Sequence, residues 1–235
     1  YELALGLAVL GAVMTSGTLS TTAMIDGQYG FWNIVPQLLG FVIFMISATA
    51  EVVRAPFDLV EAEQELVGGY NTEYGSMKFA LFFMAEYVKL IAMNAIAVTL
   101  FLGGWNFPGL EVGGSLMMFL NNTLGSTVGT AIFGLLTLGS FMLKVFALSF
   151  VSVWIRATVP RTRYDQLMNL GWKYLLPLGL LNVAVTAVIN VAFPDNRLLV
   201  AAIGFVVGLL VVLATASRTR SSRPQSKVTL VRNVG

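Results

Sequence analysis

The chain has 235 residues, 57% of them hydrophobic and only 11% charged, with a formal net charge of +2, whereas soluble domains carry about a quarter of their residues as charges. It contains no cysteine and no histidine, which excludes thiolate iron–sulfur ligation, histidine-ligated haem and the usual zinc sites; the polypeptide brings no metal redox centre of its own, and so small a net charge carries no signal for nucleic acid. The apolar residues fall in blocks of about 20, the length of a bilayer-crossing helix, so the predicted fold is an all-α, polytopic transmembrane helix bundle of about six spans.

Residues 1–19 form the first span, with Gly6, Ala8, Gly11 and Ala12 permitting close helix packing and Glu2 in its first turn. The start has no initiator Met, basic region or cleavage site, so it reads as the interior of a larger protein and not as a signal peptide. A polar turn at 20–30 leads to the second span, 31–53, entered through Phe31 and Trp32, with Pro36 near its start, where proline is tolerated. The third span, 76–102, carries Glu86 and Lys89. A Gly/Pro-rich stretch at 103–114 precedes an amphipathic piece to residue 122, expected at the membrane interface. The fourth span, 126–156, holds Lys144, and a basic loop follows at 156–173. Two further spans are predicted at 174–193, with Pro177 in its first turn, and at 198–216. Residues 1–216 thus make one membrane domain with cytoplasmic loops at 54–75 and 156–173, followed by a basic tail at 217–235.

Six alternating spans define two sides. One holds Arg54, Lys78, Arg156, Arg161, Arg163, Lys173 and the five basic residues of the tail, Arg218, Arg220, Arg223, Lys227 and Arg232; the other holds only Arg197. This positive-inside bias places the loops at 54–75 and 156–173 and both ends of the chain in the cytoplasm, or in the matrix of an organelle.

The polar stretch at 51–78, EVVRAPFDLVEAEQELVGGYNTEYGSMK, sets six carboxylates, one arginine and one lysine between two apolar runs. Asp58, Glu61, Glu63 and Glu65 fall so close together that their mutual repulsion calls for shared protons or a cationic partner. Such a group can hold or pass protons or dock a basic surface; a solvated acidic loop is the plain alternative. Within the spans, Glu86 lies roughly 15 Å along its helix and Lys144 about 18 Å back from Arg156. Glu86 and Lys89 share a face, and the plain structural account is an i, i+3 salt bridge between them, under which Lys144 needs another acid. With Glu2 and Glu51 at helix ends, acids outnumber evident partners, a pattern that favours a hydrated proton path through the bundle over a purely structural role.

The stretch AEVVRAPFDLVEAEQELVGGYNTEYGSMKFALFFMAEY, followed by LFLGGW, closely resembles the H subunit of proton-translocating NADH:quinone oxidoreductase, respiratory complex I. VWIRATVPRTRYDQLMNLGWK, at 153–173, is similar to that family's other signature loop, and the opening YELALGLAVLG resembles one of its internal helices. The family has about eight membrane helices; its first helix and another quinone-side signature have no counterpart here, and residues 198–235 extend past the resemblance.

The resemblance implies a membrane subunit at the foot of the hydrophilic arm that forms part of the quinone-reduction chamber and a glutamate-lined path coupling quinone reduction to proton pumping. On it, Arg54, Asp58, Glu61, Glu63 and Glu65 are chamber-loop residues and Glu2, Glu51 and Glu86 line the proton path, to which Lys89 and Lys144 are added as charges within the spans. Arg156, Arg161, Arg163 and Asp165 belong to the second loop, and Tyr70, Glu73 and Tyr74 to the first signature. Quinone is the expected substrate; iron–sulfur clusters and FMN are expected in partner subunits, with no metal or flavin held by this chain. Expected partners are the peripheral-arm quinone-site subunits, adjacent small membrane subunits and lipid, without nucleic acid. The basic tail favours a bacterial plasma membrane over a mitochondrial inner membrane. Three other readings stay open: the homologous subunit of a hydrogenase or ferredoxin-linked pump, a stand-alone secondary transporter, for which no inverted repeat is evident, and a passive anchor whose acidic loop only docks the arm.

Overall fold

The structure, a computed structural model, describes residues 1–58, 74–107, 114–193 and 197–221. The described residues are helical, without strand. In chain order the helices are α1 (Glu2–Ser16), α2 (Thr21–Asp26), α3 (Leu38–Glu51), α4 (Met77–Phe101), α5 (Ser115–Leu124), α6 (Ser126–Thr158), α7 (Tyr164–Leu170), α8 (Leu176–Ala192) and α9 (Arg197–Ser221), with a π-helical turn (Gly171–Leu175) joining α7 to α8. The segments Met77–Phe101, Ser126–Thr158 and Tyr164–Ala192 are long and apolar enough to cross a membrane, and Glu2–Ser16, Leu38–Glu51 and Leu199–Thr215 are shorter apolar helices.

The core forms where α1 lies against α3 and α8. Ala4, Ala8 and Ala12 recur every fourth residue, so their methyl groups make one flat stripe that lets neighbouring backbones approach. They pack in one cluster with Leu39, Ile43, Phe44 and Ala48 of α3 and Phe101 of α4. The Phe101 ring meets Phe41 edge-on at 5.5 Å and Phe44 at 5.6 Å, which ties α4 to α3. α9 joins through Gly204 and Gly208, a small-xxx-small spacing: a Cβ on Gly204 would collide with the Pro36 carbonyl, and one on Gly208 would lie 3.2 Å from the Leu39 nitrogen.

The second span begins at Leu38, not at residue 31. Pro36 has no N–H to extend a helix backwards, and polar side chains hold the preceding stretch in an irregular path. Gln28 Nε2 donates to the carbonyls of Thr99 and Leu100 (3.2 and 3.4 Å), Asn33 Nδ2 to Leu100 O (3.1 Å), and the Ile34 amide to Phe101 O (2.8 Å). The last carbonyls of α4, which have no partner within their own helix, are thereby satisfied by a segment that has none to offer itself. Two other boundaries also differ. The polar turn at 20–30 contains α2, and the basic loop ends at Arg163, because Tyr164–Leu170 is already helical and runs on into α8. Pro177 therefore sits inside a long helix. The π turn just before it, where the Leu176 amide reaches back to Gly171 O, widens the ladder where the proline ring would crowd it.

Candidate functional site

α3 stops in a backbone arrangement that aims the next side chain. The Val53 amide bonds Ala50 O (3.2 Å) and the Arg54 amide bonds Thr49 O (3.4 Å), the paired bonds of a Schellman motif. The left-handed position, φ +57°, is occupied by Val53, a β-branched residue where glycine is usual. That turn carries Arg54 back onto α4, where its guanidinium forms an ion pair with Glu86 and lies 4.6 Å from the Tyr87 ring centroid. Arg54 is 5% exposed. About one turn along α4, Lys89 Nζ bonds Glu51 Oε1 (2.9 Å) and Glu51 O (2.6 Å), so its charge also sits on the C-terminal carbonyls of α3.

In place of a Glu86–Lys89 bridge within α4, the plain structural account, there are two rungs, between Glu86 and Arg54 and between Lys89 and Glu51. Both side chains face the end of α3, where Arg54 and Glu51 offer opposite charges; pairing across the gap neutralises four charges where the bridge within α4 would neutralise two. The cluster of two acids and two bases has no net charge. Protonating either glutamate leaves one base unneutralised, so a proton added here changes the pairing of its neighbours.

Beyond Arg54 the two loops singled out in the sequence meet. Both the amide and Oγ1 of Thr162 donate to Pro56 O, each at 2.9 Å. Arg161 Nη2 approaches Asp58 Oδ2 to 3.4 Å, and Asp58 is buried, so its charge gains the cationic neighbour the sequence called for. A cavity of about 70 Å³ lies beside this junction, with Arg54, Tyr87, Asn94 and Arg156 set in apolar walls. A second, of about 250 Å³, is mostly apolar and lined by Phe57, Tyr164 and Trp172.

The other predicted residues spread out. Glu2 opens α1, Arg163 precedes α7 and Asp165 lies in its first turn; all three are exposed, as is Arg156 in the last turn of α6. Glu61, Glu63 and Glu65, with Tyr70 and Glu73, lie outside the described residues, among which no group of acids could hold a metal ion.

Lys144 meets no acid among the described residues. Its Nζ donates to the carbonyls of Leu102 (2.7 Å), Gly104 (3.0 Å) and Asn106, and it stands 4.6 Å from the Trp32 ring centroid. The turn after α4 leaves several carbonyls pointing inward, and an ammonium on α6 is a point donor that can take three at once. Sequence reasoning also passed over Val53, Tyr87 and Thr162. Tyr87 stood inside the matched stretch, but nothing in a linear pattern marks it as a platform for Arg54.

Over residues 1–187 the chain matches the model of the NADH dehydrogenase family. The ion-paired strip and joined loops all fall within that span, and the chain belongs to this family, which contains the H subunit of complex I.

Proposed function

We propose that this subunit forms the membrane-side wall of the quinone-reduction chamber of complex I and begins the path that turns quinone reduction into proton movement. The observation that carries the reading is the junction of the two loops, Asp58 beside Arg161 and Pro56 bonded by Thr162, next to the strip Arg54–Glu86 and Glu51–Lys89. An apolar quinone tail would reach the junction from the lipid side between helices, and cavities with aromatic and apolar walls are available there. Electrons would come from clusters in the peripheral-arm subunits, because this chain has neither cysteine nor histidine to hold one.

Two electrons and two protons convert a quinone to a quinol. Uptake of negative charge by the head group beside Asp58 and Arg161 favours protonation of nearby carboxylates, Glu61, Glu63 and Glu65 included. Protonating Glu86 weakens its hold on Arg54; protonating Glu51 frees Lys89, so the two rungs transmit a change of charge along α4. In this reading Lys144 does not carry the proton but holds the turn that ends α4.

Replacing Glu86 by Gln in the assembled complex separates the possibilities. The relay requires that NADH:quinone electron transfer persist while proton translocation is lost. Normal translocation with normal electron transfer excludes Glu86 from the path, and failure of the arm to bind points to docking alone.

A further inference from the structure

At the end of the bundle remote from the charged loops, the side chains that meet between α1, α3 and α8 are polar without being charged. Asn182, Thr186 and Asn190 recur every fourth residue and form one stripe on α8. Gln37 Nε2 donates to Thr186 Oγ1 (2.7 Å) and Thr15 Oγ1 (3.0 Å), and Asn182 Nδ2 donates to Gln37 Oε1 (2.9 Å). Two glycines are shaped to this amide pair: a Cβ on Gly11 would lie 2.7 Å from Asn182 Nδ2, and one on Gly40 2.8 Å from Gln37 Oε1. The bonds do not exhaust the cluster. Asn182, 6% exposed, keeps its Oδ1 without a partner among the described residues. Asn190 uses one N–H on Met14 O (2.9 Å) and leaves its carbonyl oxygen open.

Two cavities meet this stripe. The inner one, about 20 Å³, is lined by Gln37, Asn182 and Thr186; the outer, about 330 Å³, by Ser16, Asn33 and Met14. Thr15, Pro36, Asn190 and Val200 border both, so the two adjoin. A buried water needs roughly 10–15 Å³ and two to four polar partners, so the inner space suits a single water and the outer suits several.

We propose that these cavities form a water-filled vestibule that enters the bundle from the end remote from the charged loops and stops at Asn182 and Gln37, with α9 as the wall that keeps lipid out. The amides and hydroxyls set among its apolar walls give water its partners and offer an ion no countercharge. Between its inner end and Glu51 stand Ile43, Phe44, Ala4, Ala8 and Ala48, an apolar plug broken by the buried hydroxyl of Ser47, which makes no hydrogen bond among the described residues. The wall is set by Gly204 against Pro36 and by Val200 and Gly208, which line the inner cavity. The vestibule stands whether or not the glutamate strip relays protons.

Radiolytic hydroxyl-radical footprinting of the unaltered complex in its membrane tests this without a substitution. Met14 faces the outer cavity although half-buried, whereas Met142 is 56% exposed on the apolar outer face of α6. Water in the vestibule oxidises Met14 faster than Met142; a Met14 rate equal to or below that of Met142 means a dry or lipid-filled cavity and overturns the proposal. Because the chain lacks cysteine, Asn190→Cys and Val188→Cys extend the test with a membrane-impermeant cationic methanethiosulfonate, read by mass spectrometry on this chain's peptides. Asn190→Cys is expected to react about tenfold faster or more, since apolar surroundings suppress the thiolate; equal rates overturn the proposal. Gly204→Leu, which drives α9 from Pro36, brings the Asn190→Cys rate down towards that of Val188→Cys as lipid enters, and an unchanged rate removes α9 as the wall.

Discussion

Arg54, three residues past the end of α3, forms an ion pair with Glu86, ten residues into α4, and the pair is sealed on one side by the Tyr87 ring. The Arg54 side chain is 6% exposed and that of Glu86 20%, whereas Lys89 of the neighbouring rung is 43% exposed. The two rungs therefore differ in environment although they share a helix.

That difference gives the first prediction. Removing one member of a buried pair strands the other charge and costs about 3–5 kcal/mol; the Glu51–Lys89 rung is less enclosed, but Lys89 lies on the same membrane-spanning helix, where a stranded charge is also costly. Arg54→Gln is expected to lower the heat stability of the assembled subunit by that amount, and Lys89→Gln by less. The loss from Arg54→Gln should shrink when Glu86→Gln is added, because the stranded carboxylate is then gone. Thermal dissociation of the four complexes, measured side by side, checks the order; equal losses for Arg54→Gln and Lys89→Gln would contradict it.

Lys144 leads to a second, of opposite functional sign. Its ammonium bonds three carbonyls after α4 and stands over Trp32, so Lys144→Met leaves inward-facing carbonyls unpaired at about 1–3 kcal/mol each, less what the chain recovers by relaxing. Subunit abundance in the membrane should fall. The complex that does assemble should still translocate protons per electron as the parent does. Lys144→Arg should recover little, because a planar fork cannot replace a point donor aimed at three convergent oxygens. Quantifying assembled complex and its proton-to-electron ratio together decides between a lock and a relay.

How far the sequence foretold these features follows from their physical origin. α4 and α6 were legible because hydropathy alone sets a membrane helix, and their limits fall within two residues of the predicted ones. The start of α3 was not, because Phe31, Trp32, Ile34 and Val35 look like membrane helix until Gln28 and Asn33 are seen holding the carbonyls of α4. The helix through Tyr164–Leu170 was hidden by its polar residues, Asp165, Gln166 and Asn169, and by Pro177, which the π turn accommodates. Residue types at the site were legible, and pairings were not. Arg161 is 103 residues from Asp58, and Lys89 is 38 from Glu51, separations at which only the fold selects a partner.

Val53 supplies a third prediction. A β-branched side chain in the left-handed region costs about 1–2 kcal/mol relative to its preferred conformations, and Val53 stands at the Schellman position that turns Arg54 towards Glu86. Val53→Gly removes the strain and adds freedom to the unfolded chain, which offsets part of the gain. The assembled subunit is expected to be more heat-stable by about 0.5–1 kcal/mol. Val53→Ile keeps the strain and should leave stability close to that of the parent. A less stable Val53→Gly would show that the valine side chain contributes more through packing than its backbone loses.

The joined loops give the last prediction. Thr162 holds Pro56 O through both its amide and its hydroxyl, each at 2.9 Å, and Arg161 approaches Asp58 at 3.4 Å in the same crossing. Thr162→Val removes only the hydroxyl bond, and because the amide still serves the carbonyl the cost should be small, about 1 kcal/mol. Arg161→Gln removes a cation from beside a carboxylate that is buried, and the Thr162 bonds supply no charge in its place. If the crossing shapes a quinone site, Thr162→Val should leave the KM for quinone near its parent value. Arg161→Gln should raise that KM or lower kcat while electron transfer from NADH to a water-soluble acceptor continues. Arg161→Gln also separates the crossing from the strip: it leaves Arg54, Glu86, Glu51 and Lys89 in place, so protons moved per electron should stay unchanged even as quinone turnover falls. A ratio that fell with turnover in Arg161→Gln would mean that the crossing and the strip respond as one unit.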